Sequence, residues 1–254
     1  MAQRHEPPDS LDFFPTPPWA VRALLAKLDA MDEPMHLQVA CDPMAGEGDI
    51  VRTLPDRFDR VIGRDVFDYS ATWRAGHICD LGVEDFLLNG RRSSDDDAPD
   101  WIISNPPFRL ATECVHAAYA QARRGFAFLL RTAWFEGQER ADTIFSERPP
   151  THAFHFASRV VMHKGRLRRP GIVYFCPHDG KDKTASTATA YTWVIWRFAD
   201  VANDGMYRGG WISEARATFE RPGDYPPLPP SEVPFRMPAR DASSGRAAPQ
   251  AVLI

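Results

Sequence analysis

Four short apolar runs, "HLQVACDP" (36–43), "DRVIGRDV" (59–66), "HICDL" (77–81) and "WIISN" (101–105), end in polar or turn-forming residues, with helix-length segments between them. Runs this short and this apolar are expected as strands buried on both faces of a parallel sheet. The alternation continues with a helix over "LATECVHAAYAQAR", a strand at "GFAFLLRTA" and a helix around "EGQERADTIF". Such alternation constrains the chain to an α/β fold with right-handed crossovers. Ahead of the first strand, Thr16 is placed to cap a helix with Pro17 and Pro18 in its first turn and Val21, Leu24, Leu25 and Leu28 along one face. Further strands are expected at "THAFHFASRVVM", "GIVYFCP" and "ATAYTWVIWRF", where aromatic and β-branched residues gather. "NGRRSSDDDAPD" (89–100) reads as a polar surface loop. One domain is expected over 1–220, and the proline- and serine-rich chain from 221 to 254 as an extended or disordered tail.

With no run of 18 apolar residues, and an opening that lacks the basic-then-apolar order of a signal peptide, neither a membrane span nor secretion is expected, and the cytoplasm is the default location. Cys41, Cys79, Cys114 and Cys176 show no C-x-x-C spacing, which argues against a zinc site and against a disulfide framework. The net charge of −4 conceals an asymmetry: residues 1–100 carry 10 Lys/Arg against 20 Asp/Glu, whereas residues 101–170 carry 11 against 5. A basic stretch inside an acidic protein suits a polyanion-binding face, although a solvated surface gives the same pattern.

Three motifs carry chemistry. In "ACDPMAGEGDI" a strand runs into Asp42 and then Gly46-x-Gly48, a loop that lets a small molecule approach the backbone. It lacks the G-x-G-x-x-G fingerprint and the Walker lysine, so a dinucleotide or a triphosphate fits poorly, and alone it is equally a strand-to-helix turn. Asp65, at the tip of the second strand, is placed to accept hydrogen bonds from ribose hydroxyls, or is simply a capping carboxylate. Asp85 and Phe86 follow the third strand, where a carboxylate and a ring can hold a purine. Asn105-Pro106-Pro107-Phe108 ends the fourth strand, at the edge where open α/β sheets bind ligands. The Asn105 amide oxygen and the Pro106 carbonyl can both accept from one NH₂ group, the prolines turn that carbonyl out of a ladder, and Phe108 offers a face for a planar base.

With these motifs in this order, the chain resembles the S-adenosylmethionine-dependent amino-methyltransferases, especially the adenine-specific DNA methyltransferases, over residues 12–200. The resemblance implies a Rossmann-like methyltransferase fold, a seven-stranded mixed sheet with helices on both faces. It implies S-adenosyl-L-methionine as cofactor, no metal, and methylation of the exocyclic amine of adenine in double-stranded DNA after the base is flipped out. By the same resemblance, Thr16 and Pro17 in "FPTPPWAVRALL" contact the methionine part of the cofactor. Asp42, Gly46 and Gly48 form its loop, Asp65 takes its ribose, and Asp85 and Phe86 take its adenine. Asn105, Pro106, Pro107 and Phe108 are the catalytic motif, with Asn105 also at the cofactor. A compact layout of this kind resembles solitary, phage-type enzymes, with no obligate protein partner implied.

DNA contacts are expected from Arg109 and from "SRVVMHKGRLRRPG", where Arg159, Lys164, Arg166, Arg168 and Arg169 stand without one acid. The recognition segment then spans about 158–190, including "DGKDKTASTATA" as a candidate flap. Methylation of RNA bases or of a protein glutamine amide would use the same NH₂ chemistry, and a DNA-associated binding module without catalysis would keep the same fold.

Overall fold

A computed structural model describes residues 12–88, 98–200 and 206–234; most of the expected 89–100 loop lies outside them. Helix α1 (Pro18–Asp29) starts after Pro17, with Pro18 in its first turn where a missing N–H costs nothing. The expected Thr16 cap is not formed: the hydroxyl is turned to the Met162 sulfur, 3.9 Å away, and Pro17 occupies the N-cap position. The strands are β1 (Val39–Asp42), β2 (Arg60–Asp65), β3 (Leu81–Val83), β4 (Trp101–Ser104), β5 (Gly125–Arg131) and β6 (His152–Phe156), then β7 (Val173–Cys176), β8 (Lys181–Thr184), β9 (Tyr191–Arg197) and β10 (Arg208–Ile212). Helix α2 (Ala111–Gln121) links β4 to β5, a short α3 (Gln138–Arg140) continues into a wider turn over 141–145, and α4 (Ala215–Phe219) follows β10.

The main sheet has the order β10-β6-β9-β5-β4-β1-β2-β3. Every pairing is parallel except those of β9, which runs antiparallel between β5 and β6. This is the expected mixed α/β sheet with one strand more than seven, because β10 adds a parallel edge beside β6. The third strand lies at Leu81–Val83, starting on the last residue of "HICDL", and "GIVYFCP" does not join the sheet but pairs with β8 in a separate hairpin. The links after β1 and β2 hold only 3₁₀ turns, Val51–Asp56 and Ser70–Thr72, rather than full helices. Pro55 inside the first of them removes an N–H that a continuing helix would need.

Alternation along β5 and β9 explains the two layers. Ala127, Leu129, Trp193 and Ile195 face α1, while Phe126, Phe128, Val194 and Trp196 face α2. Side chains on successive strand residues point to opposite faces, so one apolar run fills both cores. The buried indoles also find acceptors: Trp193 Nε1 donates to the Ala20 carbonyl at 2.8 Å, tying β9 to α1. Among the described residues, no helix is long and apolar enough to cross a membrane.

Residues 221–234, expected as the start of a loose tail, are docked instead. Asp224 is 2% exposed and accepts from the two terminal Arg22 guanidinium nitrogens at 2.9 Å, and Trp19 Nε1 donates to the Tyr225 hydroxyl at 2.8 Å. Proline-rich composition hides this because the anchors are an aspartate and a tyrosine meeting α1 some 200 positions earlier. The expected tail from 235 onward lies outside the described residues. Asp224→Ala would leave Arg22 with only Asp56, at 3.2 Å, and the Phe219 carbonyl, at 2.9 Å, and should lower stability by about 2 kcal/mol in chemical denaturation. A loss below about 0.5 kcal/mol would mean that docking contributes nothing to the fold.

Candidate active site

The strand order reverses between β1 and β4, and a cavity of about 270 Å³ opens at the carboxyl ends of the strands there. Asp42 ends β1, Asp65 ends β2, Asn105 follows β4, and Asp85 with Phe86 follows β3; all border the cavity. A strap of residues 12–16 closes it from the amino-terminal side.

Asp65 is buried, and its two oxygens accept the backbone N–H groups of Gly46 (2.8 Å) and Phe67 (2.9 Å). Each oxygen keeps a second lone pair, which is what ribose hydroxyls require. Burial pushes its pKa upward. Asp85 accepts the Leu87 N–H at 2.9 Å and so closes the turn that presents Phe86. Phe86 is 7% exposed and packs on the α2 side of the sheet while bordering the cavity.

Asp42 is fully buried. Its Oδ1 accepts the Ser104 hydroxyl at 2.6 Å and the Met44 N–H at 3.2 Å, and its Oδ2 has no partner among the described residues. Burial raises its pKa to about 7. Asp49, not singled out from the sequence, belongs with it. It borders the cavity and holds Arg52 (3.1 Å) and Arg74 (3.2 Å) on Oδ1; its Oδ2 is unpartnered, and burial raises its pKa to about 6. Its place at the end of "GEGD" was the available signal. Phe13, Phe14 and Tyr69 also border the cavity and were not singled out.

Gly46 and Gly48 do not line the cavity, contrary to the ligand-approach reading. Both have positive φ, +53° and +86°, and a Cβ would run into the Phe13 ring at Gly46 and the Trp73 ring at Gly48. Glycine is required there by backbone conformation and by two aromatic neighbours distant in sequence. Thr16 borders the cavity, whereas Pro17 is buried behind it.

Asn105 is held at its donor end: Nδ2 donates to the Phe14 carbonyl at 2.7 Å. The amide oxygen is buried with no partner among the described residues. A buried acceptor without a donor is costly, which marks it as a place for a ligand N–H. Pro107 borders the cavity and Pro106 is buried beside it. Phe108 departs from expectation. Its ring packs on Phe14 (5.3 Å) and Tyr191 (6.0 Å), and the Arg131 guanidinium covers it at 3.9 Å from the centroid, so the face is not open. The Phe108 N–H donates to Asp12 at 2.6 Å.

The basic segment is not free of acids in space. Glu232 pairs with Arg166 (3.5 Å) and Arg168 (2.8 Å), and Glu220 pairs with Arg169 (2.6 Å). Arg109, Arg159 and Lys164 are exposed. The Gly165 N–H donates to the Phe13 carbonyl at 2.8 Å, so this segment is tied directly to the cavity strap.

No protein-family model and no curated protein sequence matches the chain. Solved structures do match. The type I restriction-modification system methyltransferase subunit from Streptococcus thermophilus is similar over 87% of this chain, at 10% identity and a TM-score of 0.54. This chain covers 50% of that one. Magnesium protoporphyrin IX methyltransferase from Synechocystis PCC 6803, crystallised with bound SAM, is similar over 71% of this chain and 79% of its own, at 13% identity and a TM-score of 0.43. The fold is therefore Rossmann-like, of the methyltransferase type, as the position of antiparallel β9 also indicates.

The buried acids make stability depend on pH. For Asp42 the folded pKa, about 7, lies above the ordinary 3.8, so between these values the folded state holds a proton that the unfolded chain has released. Its favourable contribution is complete below about pH 4 and is lost as the pH rises through 7. Asp42→Asn should flatten the fall in denaturation midpoint over that interval; an unchanged slope would remove Asp42 as its source.

Proposed function

We propose that the protein methylates the exocyclic amine of adenine in DNA, with S-adenosyl-L-methionine as the methyl donor. The observation that carries this reading is Asn105: an amide whose donors are tied to Phe14 while its buried oxygen waits for an N–H at the cavity wall. Asparagine carries no charge, so it orients an amine and does not deprotonate it. An aryl amine is a poor nucleophile because its lone pair is delocalised into the ring. Accepting its N–H at Asn105 Oδ1, with the Pro106 carbonyl as the second acceptor, favours the pyramidal nitrogen that attacks.

The cavity's charge supports the choice of cofactor. Asp12, Asp42, Asp49, Asp65 and Asp85 border it, and among the described residues no lysine or arginine does. A di- or triphosphate would be repelled, whereas a ligand bearing an ammonium and a sulfonium is matched. Asp65 would hold the ribose, Asp85 and Phe86 the adenine, Thr16 the methionine end, and the unpartnered oxygens of Asp42 and Asp49 are acceptors for the ammonium. When bound, S-adenosylmethionine supplies an electrophilic methyl group.

The phosphates then meet the outer, basic face. Arg109, Arg159 and Lys164 are exposed on that face. Arg166, Arg168 and Arg169 reach a phosphate only by exchanging Glu232 and Glu220 for it, a near-balanced swap of one charge-assisted contact for another.

Labelled cofactor offered DNA, RNA and total protein together should place its label in N6-methyladenine of DNA. Label in glutamine, in RNA alone or in cytosine alone would overturn the assignment. Asn105→Ala should abolish transfer while leaving cofactor affinity within a few-fold. Asp65→Ala should weaken cofactor binding by roughly ten- to a hundredfold in calorimetry, the loss of about 1.5 to 3 kcal/mol of hydrogen bonding to a charged group. Unchanged affinity would exclude Asp65 from the ribose site.

A further inference from the structure

We propose that Arg131 belongs to the target-nucleotide site: it covers the Phe108 face until a base arrives, then yields that face and pairs with the same nucleotide's phosphate. The inference deepens the nucleic-acid reading above and rests on it.

Strand register puts Arg131 there. Ser104 of β4 lies opposite Phe128 of β5, so the last three residues of β5 run on past the point where the neighbouring strand turns into the Asn105 motif. Arg131 is the final residue of β5, paired with Tyr191 of β9, and its guanidinium lies 3.9 Å from the Phe108 centroid. Phe14 and Tyr191 already flank that ring, at 5.3 and 6.0 Å, so the face under Arg131 is the one at which a planar ligand can be exchanged for a side chain. A guanidinium is itself planar and weakly hydrated, and so resembles a base in how it stacks.

Three properties make this a contact poised for exchange. Arg131 is exposed, and among the described residues it makes no ion pair, so its charge is unspent. An exposed cation–π contact is weaker than the stacking of a nucleobase on an aromatic ring, so an arriving base displaces the guanidinium. The displaced cation is then left at the mouth of the site, where the phosphate follows the base that replaced it. Arginine forks match phosphate geometry in a way that no other side chain does.

The test uses the whole chain with its cofactor cavity saturated by S-adenosylhomocysteine, and two fluorescein-labelled single strands of equal length, oligo(dA) and its fully abasic counterpart. Anisotropy is followed across a range of salt for wild type, Arg131→Ala and Arg131→Lys. With oligo(dA), Arg131→Ala should bind about five- to tenfold more weakly, with a log-log salt slope shallower by about 0.7, the signature of one phosphate on a single strand. Arg131→Lys should keep the wild-type slope because it keeps the charge. On the abasic strand, Arg131→Ala should match wild type, since without a base to displace it the guanidinium stays on the ring. Equal slopes on oligo(dA), or an equal loss on both strands as for an ordinary surface cation, would overturn the proposal. If wild type binds oligo(dA) and Arg131→Ala is indistinguishable from it, only the role of Arg131 falls; if wild type with labelled S-adenosylmethionine leaves no label in single- or double-stranded DNA, the nucleic-acid reading falls with it. Unchanged S-adenosylhomocysteine affinity and thermal midpoint in Arg131→Ala confirm that the variant is folded.

Discussion

The reversal of strand order at β1 and β4 is the constraint on which the site depends. Strands added after β1 grow the sheet in one direction, and β4 and β5 grow it in the other, so the loops leaving β1 and β4 must diverge. A crevice at that point is unavoidable, and the residues at its rim are the ones that end the central strands. The 2.6 Å hydrogen bond from Ser104 to Asp42 crosses this seam and locks the two strand ends in register. Asp42 is driven so far from water by its position there that burial, rather than any charged neighbour, dominates its protonation.

From that crevice follows a division of charge. The inside is acidic, with five aspartates at the cavity wall, and the outside carries the basic segment around Arg159–Arg169. The two surfaces differ in their charged side chains, carboxylates within and arginines without, and the strap of residues 12–16 lies between them. That strap is held from both sides: Asn105 donates to the Phe14 carbonyl and Phe108 to the Asp12 carboxylate, while Gly165 of the basic segment donates to the Phe13 carbonyl. Any ligand that moves the strap therefore touches both the amide motif and the basic loop. Met162 of the basic segment adds a direct link, its sulfur receiving the Thr16 hydroxyl at 3.9 Å and Asn105 Nδ2 at 3.7 Å.

The carboxyl-terminal part of the described chain has a structural place in this arrangement. Asp224 satisfies Arg22 on α1, and Glu220 and Glu232 neutralise three arginines of the basic loop. Without those acids, Arg166, Arg168 and Arg169 would repel one another and Arg74, whose own pKa is lowered to about 10 mainly by burial and further by Arg166. The segment thus orders a loop that its own charge would otherwise spread apart.

Much of this was legible in the linear chain. The short continuous apolar runs "GFAFLLR" and "YTWVIWR" announce strands buried on both faces, and the polar ends of the first strands place Asp42, Asp65 and Asn105 on one edge, because strand ends are local and the edge follows from parallel topology. What the chain could not disclose depends on partners far away in sequence. Gly46 answers to Phe13, and Gly48 to Trp73. Asp49 matters because burial leaves one of its oxygens without a donor. The face of Phe108 is decided by Arg131, and the arginines that stand without an acid in sequence meet Glu220 and Glu232 in space. Local pattern settles which residues form strands and where those strands end, since both depend on neighbours a few positions apart; burial and pairing are set by contacts across the folded chain, so only the tertiary structure could decide them.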